Sequence, residues 1–147
     1  MINKLDQNGI DFLCQEEGFR SKPYLCPANR WTIGIGTTIL PDGIHVNSNT
    51  PAVTKEIALQ YVNDYLEQIY KWLYNNLTWQ PNQNQFNALC SFLYNLGIGN
   101  HLNACPHTKQ AIINGDIPNI ITGIMSVNNN GLLTNRRKQE IAMFNSI

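Results

Sequence analysis

Residues 16–38, EEGFRSKPYLCPANRWTIGIGTT, decide how the rest of the chain is read. Leu5, Phe12 and Leu13 upstream have the spacing of one helix face, with Asn3 as a possible cap, and Gly18 is a natural stop, so Glu17 becomes the last helical residue. Beyond it the period shortens. KPYLC, a turn at PANR, WTIGIGTTIL and a turn at PDG predict a small antiparallel sheet of two or three strands. Strict alternation along WTIGIGT puts Trp31, Ile33 and Ile35 on one face and Thr32, Gly34 and Gly36 on the other. Glycine weakens a strand, so two beside a threonine predict either a close approach on that side or a local bulge. The loop after Cys26 sets the register: five residues bring Cys26 directly across from Thr32, four break that pairing, and both readings stay open.

Downstream, Ile57, Ala58, Tyr61, Val62, Tyr65, Leu66, Ile69 and Leu73 follow helical spacing from Thr54. Roughly 22 residues at 1.5 Å each span about 33 Å, long enough to join two lobes. QPNQNQFNALCSFLYNLGIG predicts a core helix with Pro81 in its first turn and Gly97 at its end. Two short helices follow, one from Pro106 to Asn114-Gly115 and one capped by Asp116. NNNG at 128–131 is a loop, and Thr134 caps a last helix carrying Ile141 and Phe144. The expectation is an α+β chain forming one domain over residues 1–147. Its sheet lobe covers about residues 16–50 and its larger helical lobe about 54–147 plus the N-terminal helix, with a ligand cleft between the lobes.

Composition narrows the function classes. A chain of 147 residues buries enough surface to fold without a staple. Ten basic and ten acidic residues cancel, which gives no global attraction to nucleic acid or to an anionic membrane. Arg136, Arg137 and Lys138 form the one local cationic run, which reads as a solvated helix face. The N-terminus lacks a signal-peptide core, and no segment approaches ~18 consecutive apolar residues. The expected protein is soluble and made in the cytoplasm. Cys14, Cys26, Cys90 and Cys105 show no C-x-x-C pair, which argues against a zinc ribbon or a redox dithiol and for free thiols; no metal or cofactor is expected.

A carboxyl group at a helix C-terminus meets the negative end of the macrodipole, and Glu16 adds a second negative charge; both favour the protonated acid that general acid catalysis needs. Glu-Glu-Gly also suits a plain helix end. On spacing alone both readings stay open; what bears on them is a resemblance to a pattern of a Glu, eight residues, an Asp or sometimes a Cys, five residues and a Thr. EGFRSKPYLCPANRWTIGIGTT resembles that signature of phage-type lysozymes, the endolysins of glycoside hydrolase family 24, with Glu17, Cys26 and Thr32 on its three positions. QFNALCSFLYNLGIG resembles the family's core helix and GLLTNRRKQEIAMF its C-terminal block; residues 100–127 match poorly.

The resemblance implies a lysozyme-like fold and an enzyme that hydrolyses the β-1,4 bond between N-acetylmuramic acid and N-acetylglucosamine in peptidoglycan. Glu17 would protonate the glycosidic oxygen while Cys26 and Thr32 hold a water on the far side of the sugar. Attack by that water inverts the anomeric carbon and needs ~6.5–9.5 Å between the catalytic groups. Arg136 is similar to a family arginine that pairs with the catalytic Glu, a pairing that opposes the helix-end effect, and Asn95 to a polar position facing the groove. Arg137 and Glu140 are expected to support the last helix, and Tyr24 and Trp31 to serve as core or as sugar-stacking faces. The resemblance further implies a monomer whose partners are peptidoglycan glycan strands, with no nucleic acid and no stable membrane insertion. It would wait in the host cytoplasm until a holin opens the inner membrane, then lyse the cell.

Several residues depart from the pattern. Cysteine replaces the commoner aspartate at position 26, and a mostly protonated thiol is a poorer base at neutral pH. Thr37 stands where the family usually has His, and SVNNNG lacks the usual Trp. A neutral chain also predicts weak salt dependence of wall binding. Three other readings compete: a lytic transglycosylase on the same bond, a catalytically degenerate peptidoglycan-binding module, and a cysteine hydrolase built on Cys105 and His107.

Overall fold

The computed structural model describes residues 2–147. Seven helices and two strands run in the order α1 (Gln7–Glu17), β1 (Arg20–Leu25), β2 (Trp31–Gly34), α2 (Lys55–Asn76), α3 (Gln83–Leu96), α4 (Asn100–Asn103), α5 (Pro106–Asn114), α6 (Ile117–Ser126) and α7 (Thr134–Phe144) among the described residues. The chain divides into two compact units, Leu13–Gln68 and the remainder, and both α1 and α2 contribute residues to each.

In the unit Leu13–Gln68, α1 ends where expected, at Glu17, because Gly18 takes φ +68° and returns its N–H to the Cys14 carbonyl at 2.8 Å. The two strands pair antiparallel, with Tyr24 opposite Thr32 and Leu25 opposite Trp31. Cys26 N–H donates to the Arg30 carbonyl at 2.9 Å and Asn29 N–H to the Cys26 carbonyl at 2.8 Å, so the loop is three residues, 27–29. Asn29 sits at φ +62°, the left-handed residue that closes a three-residue hairpin. Neither loop length expected for this hairpin is found.

The long alternating strand over WTIGIGT is also corrected. β2 stops at Gly34 and the chain reverses through Ile35-Gly36, with Ile33 N–H donating to the Thr37 carbonyl at 2.9 Å and Thr37 N–H returning to Ile33 at 3.0 Å. Gly34 at φ +65° and Gly36 at φ +73° make that reversal possible, since a side chain at positive φ is strained. Ile33 and Ile35 are both buried, as are Val46, Val53, Ala58, Val62 and Leu66 of the same unit. A second hairpin turns over PDG, where Gly43 N–H donates to the Leu40 carbonyl at 2.8 Å.

α2 covers 22 residues and buries Ala58, Val62, Leu66, Ile69 and Leu73, while Ile57, read from the sequence as part of the stripe, is exposed. In the other unit α3 is the centre: every residue from Phe86 to Tyr94 is buried. It begins after Pro81, with Asn82 as cap. The Asn82 side chain accepts from Gln85 N–H at 2.8 Å and Gln85 Oε1 accepts from Asn82 N–H at 2.9 Å. α7 and α4 pack on α3, and α5 pairs with α6. α5 begins and ends, and α6 begins, as their Pro, Gly and Asp signals indicate; the four-residue α4 has no such signal and was not expected. Two caps differ from expectation. Asp6, not Asn3, opens α1, accepting from Gly9 N–H at 3.0 Å and from Asn87 Nδ2 at 2.8 Å. Thr134 is the first residue of α7 rather than its cap, and Leu133 at the cap offers no side-chain bond.

Candidate active site

Glu17, Cys26 and Thr32 all belong to the unit Leu13–Gln68. α1 delivers Glu17 at its final position, half-buried, and the reversal after β2 brings Gly36 underneath it. A Cβ built on Gly36 would overlap Glu17 Oε2 and lie 2.7 Å from Glu17 Cδ, so the carboxyl group rests against the Gly36 backbone. The close approach expected from the two glycines is therefore real, but the approaching groups are the protein's own. Gly36 receives the Glu17 carboxyl group, and Gly34 lies against α2, where its Cβ would come 3.0 Å from that of Ala58.

Thr32 is buried and donates its hydroxyl proton to the Arg30 carbonyl at 3.0 Å. With that proton committed, Thr32 Oγ1 offers only lone pairs to anything else, which suits it to accept a hydrogen bond from a water. Cys26 is half-buried and carries a free thiol. Its backbone faces Arg30, so Cys26 lies diagonal to Thr32 on the same side of the ribbon rather than directly across.

The residue directly across from Thr32 is Tyr24. It shares its side of β1 with Cys26, two residues on, and the Arg20 guanidinium lies 4.4 Å over its ring. Burial first, and then the Glu17 carboxylate, push the Tyr24 phenol up from its ordinary range, with Arg20 opposing and Cys26 adding to the rise. Sequence reasoning placed Tyr24 only as core or stacking surface. The signal that would have found it is Asn29, whose tolerance of the left-handed region marks the three-residue loop and thus the register.

Half-buried Asn95 and buried Arg136 lie in the helical unit and belong to one polar cluster. Arg136 Nε donates to Glu140 Oε2 at 3.2 Å and its Nη2 to the Ser91 carbonyl at 3.1 Å. Arg137 Nη1 donates to Glu140 Oε1 at 2.6 Å and its Nη2 to Asn95 Oδ1, while Ser91 Oγ donates to Glu140 Oε2 at 2.6 Å. The Arg137 guanidinium also stacks 4.9 Å over the Phe92 ring. The reading of 136–138 as a solvated cationic face is thus wrong for two of its three residues: Arg136 and Arg137 are buried and only Lys138 is exposed. Helical spacing puts 136, 137 and 140 on the side that packs against α3, and Glu140 supplies the compensating charge that lets the arginines go there. Arg137 and Glu140 do support the last helix, as expected. Cys105, at the N-cap of α5, is half-buried and His107 exposed, both in the helical unit.

A sequence profile described as phage lysozyme matches residues 14–140. The chain belongs to the phage lysozyme family. All five of Glu17, Cys26, Thr32, Asn95 and Arg136 fall inside the matched span of that phage lysozyme profile. The endolysin of Salmonella phage P22 is 34% identical over 94 residues, 64% of this chain and 64% of that protein. The endolysin of Acyrthosiphon pisum secondary endosymbiont phage 1 is 30% identical over 94 residues, 64% of this chain and 60% of that protein. The match thus spans less than two thirds of either relative's length. A crystal structure of a P22 lysozyme mutant superposes with TM-score 0.72 at 27% identity, covering 99% of this chain and 100% of the other. The α+β arrangement of helices and small sheet is therefore the lysozyme-like fold, as the phage lysozyme resemblance implied. Among the described residues of this family member, no helix is long and apolar enough to cross a membrane.

Proposed function

We propose that this chain is an endolysin that hydrolyses the β-1,4 bond between N-acetylmuramic acid and N-acetylglucosamine in peptidoglycan. Membership of the phage lysozyme family supports the substrate class. The observation that carries the reading is the seat of Glu17. A carboxyl group packed against a glycine backbone beside the β2 reversal has its position constrained by the main chain, which placing a proton donor requires. In the proposed reaction Glu17 gives its proton to the glycosidic oxygen as the bond breaks. A water between Cys26 and Thr32 attacks the anomeric carbon from the opposite face and inverts it. Thr32 Oγ1 accepts one hydrogen bond from that water and the Cys26 sulfur accepts the other, and the water's proton passes to solvent as its oxygen bonds to the anomeric carbon. Asn95 and Arg136 are proposed as supporting residues. The chain would act as a monomer on glycan strands after a holin opens the inner membrane.

Loss of turbidity of purified cell walls tests the reading. Wild type should clear the suspension and Glu17→Gln should not, because an amide has no proton to give; clearing by the Gln variant would refute the acid role. Cys26 is tested in the same assay. Cys26→Asp should match or exceed wild type near neutral pH, whereas Cys26→Ala should lose most activity, and an unimpaired Ala variant would remove Cys26 from the mechanism. Mass spectrometry of the fragments should show reducing ends and no anhydro sugars.

A further inference from the structure

We propose that the Tyr24 hydroxyl binds substrate, donating a hydrogen bond to an acceptor oxygen of the sugar held beside Cys26 and Thr32. This rests on the glycan-cleaving reading above and adds a residue to it. Three features of the ribbon lead there. The register pairs Tyr24, not Cys26, with Thr32, so the phenol projects from the same side as both proposed water-holding groups. A phenol reaches several bonds farther from its strand than a thiol or a threonine hydroxyl. If those shorter groups hold the water, the Tyr24 oxygen lies beyond it, where the sugar ring must sit.

The Arg20 guanidinium, 4.4 Å over the Tyr24 ring, takes one of its faces and holds its orientation. Stacking on a sugar is thereby hindered on that face, while the hydroxyl at the ring's edge stays available. Raised by burial and by the Glu17 carboxylate, the phenol stays protonated across the neutral range, so it acts as a donor. Sugar hydroxyl and acetamido oxygens are acceptors of matching chemistry.

The test separates the hydroxyl from the ring. Tyr24→Phe keeps the ring and the Arg20 stack, so its thermal midpoint should equal wild type. Binding is then measured by calorimetry with soluble glycan fragments of alternating N-acetylglucosamine and N-acetylmuramic acid, in a Glu17→Gln background that prevents turnover. Adding Tyr24→Phe should weaken binding about tenfold, the scale of one lost neutral hydrogen bond in a partly buried site. Equal affinities would overturn the Tyr24 assignment and leave the proposed function standing. Failure of the Glu17→Gln protein to bind any fragment would instead remove both.

Discussion

Gly36 has no room for a side chain because the Glu17 carboxyl group lies against it, and its φ of +73° disfavours any other residue. Gly36→Ala should therefore act twice. A methyl group pushes the carboxyl group aside, and a displacement on the order of 1 Å can cost roughly 10²-fold in rate. The left-handed backbone adds destabilisation of about 1 kcal/mol. Wall clearing and thermal melting measured together should show activity falling far more than stability, and a variant that melts lower but clears walls normally would contradict the seat described for Glu17. At this scale much was legible. Glu17, Cys26 and Thr32 lie within 16 residues of chain, so local helix-stop and strand signals bring them into one unit. The partner of Gly36 was not legible, because a glycine announces that something comes close without naming it.

The helices follow their punctuation closely, and α3 shows what one cap contributes. Asn82 and Gln85 satisfy each other's backbone N–H groups at the start of the most buried helix, at 2.8 and 2.9 Å. Asn82→Ala should lower unfolding stability by about 1 kcal/mol in a urea titration, with little change in wall-clearing rate at permissive temperature. No stability change would mean that tertiary packing alone holds the helix start. The β elements were read less well. Alternation of Trp31, Ile33 and Ile35 with Thr32, Gly34 and Gly36 fits a straight strand, yet the same glycines permit the reversal at Ile35-Gly36 that the structure adopts. Period-2 patterning cannot distinguish these, because either path buries both Ile33 and Ile35.

In the helical unit the cluster of buried Arg136, Arg137, Glu140 and Ser91 with half-buried Asn95 ties α7 to α3. Glu140 is fully buried and is the acid that pairs with both arginines in this cluster. Glu140→Ala should destabilise the fold by roughly 3–5 kcal/mol, since two buried cations lose their shared counter-charge. Thermal or chemical denaturation checks this, and a loss below about 1 kcal/mol would mean that solvent reaches the arginines easily. The run TNRRKQE suggests surface when read alone, because charged residues are rarely buried. Ser91 is 45 residues away from Arg136 in the chain, and nothing local predicts their contact.

By itself, the order of residues determined where α1, α3 and α5 stop, the α+β class, the spacing of Glu17, Cys26 and Thr32 and the resemblance that names a family, because stops and motifs act over a few residues. Only the tertiary structure decided that Tyr24 faces Thr32, that Gly36 receives Glu17 and that Arg136 and Arg137 are buried with Glu140. Those outcomes depend on a strand register and on packing between distant segments, where the stabilising partner is absent from the local sequence and a shift of one residue exchanges every neighbour.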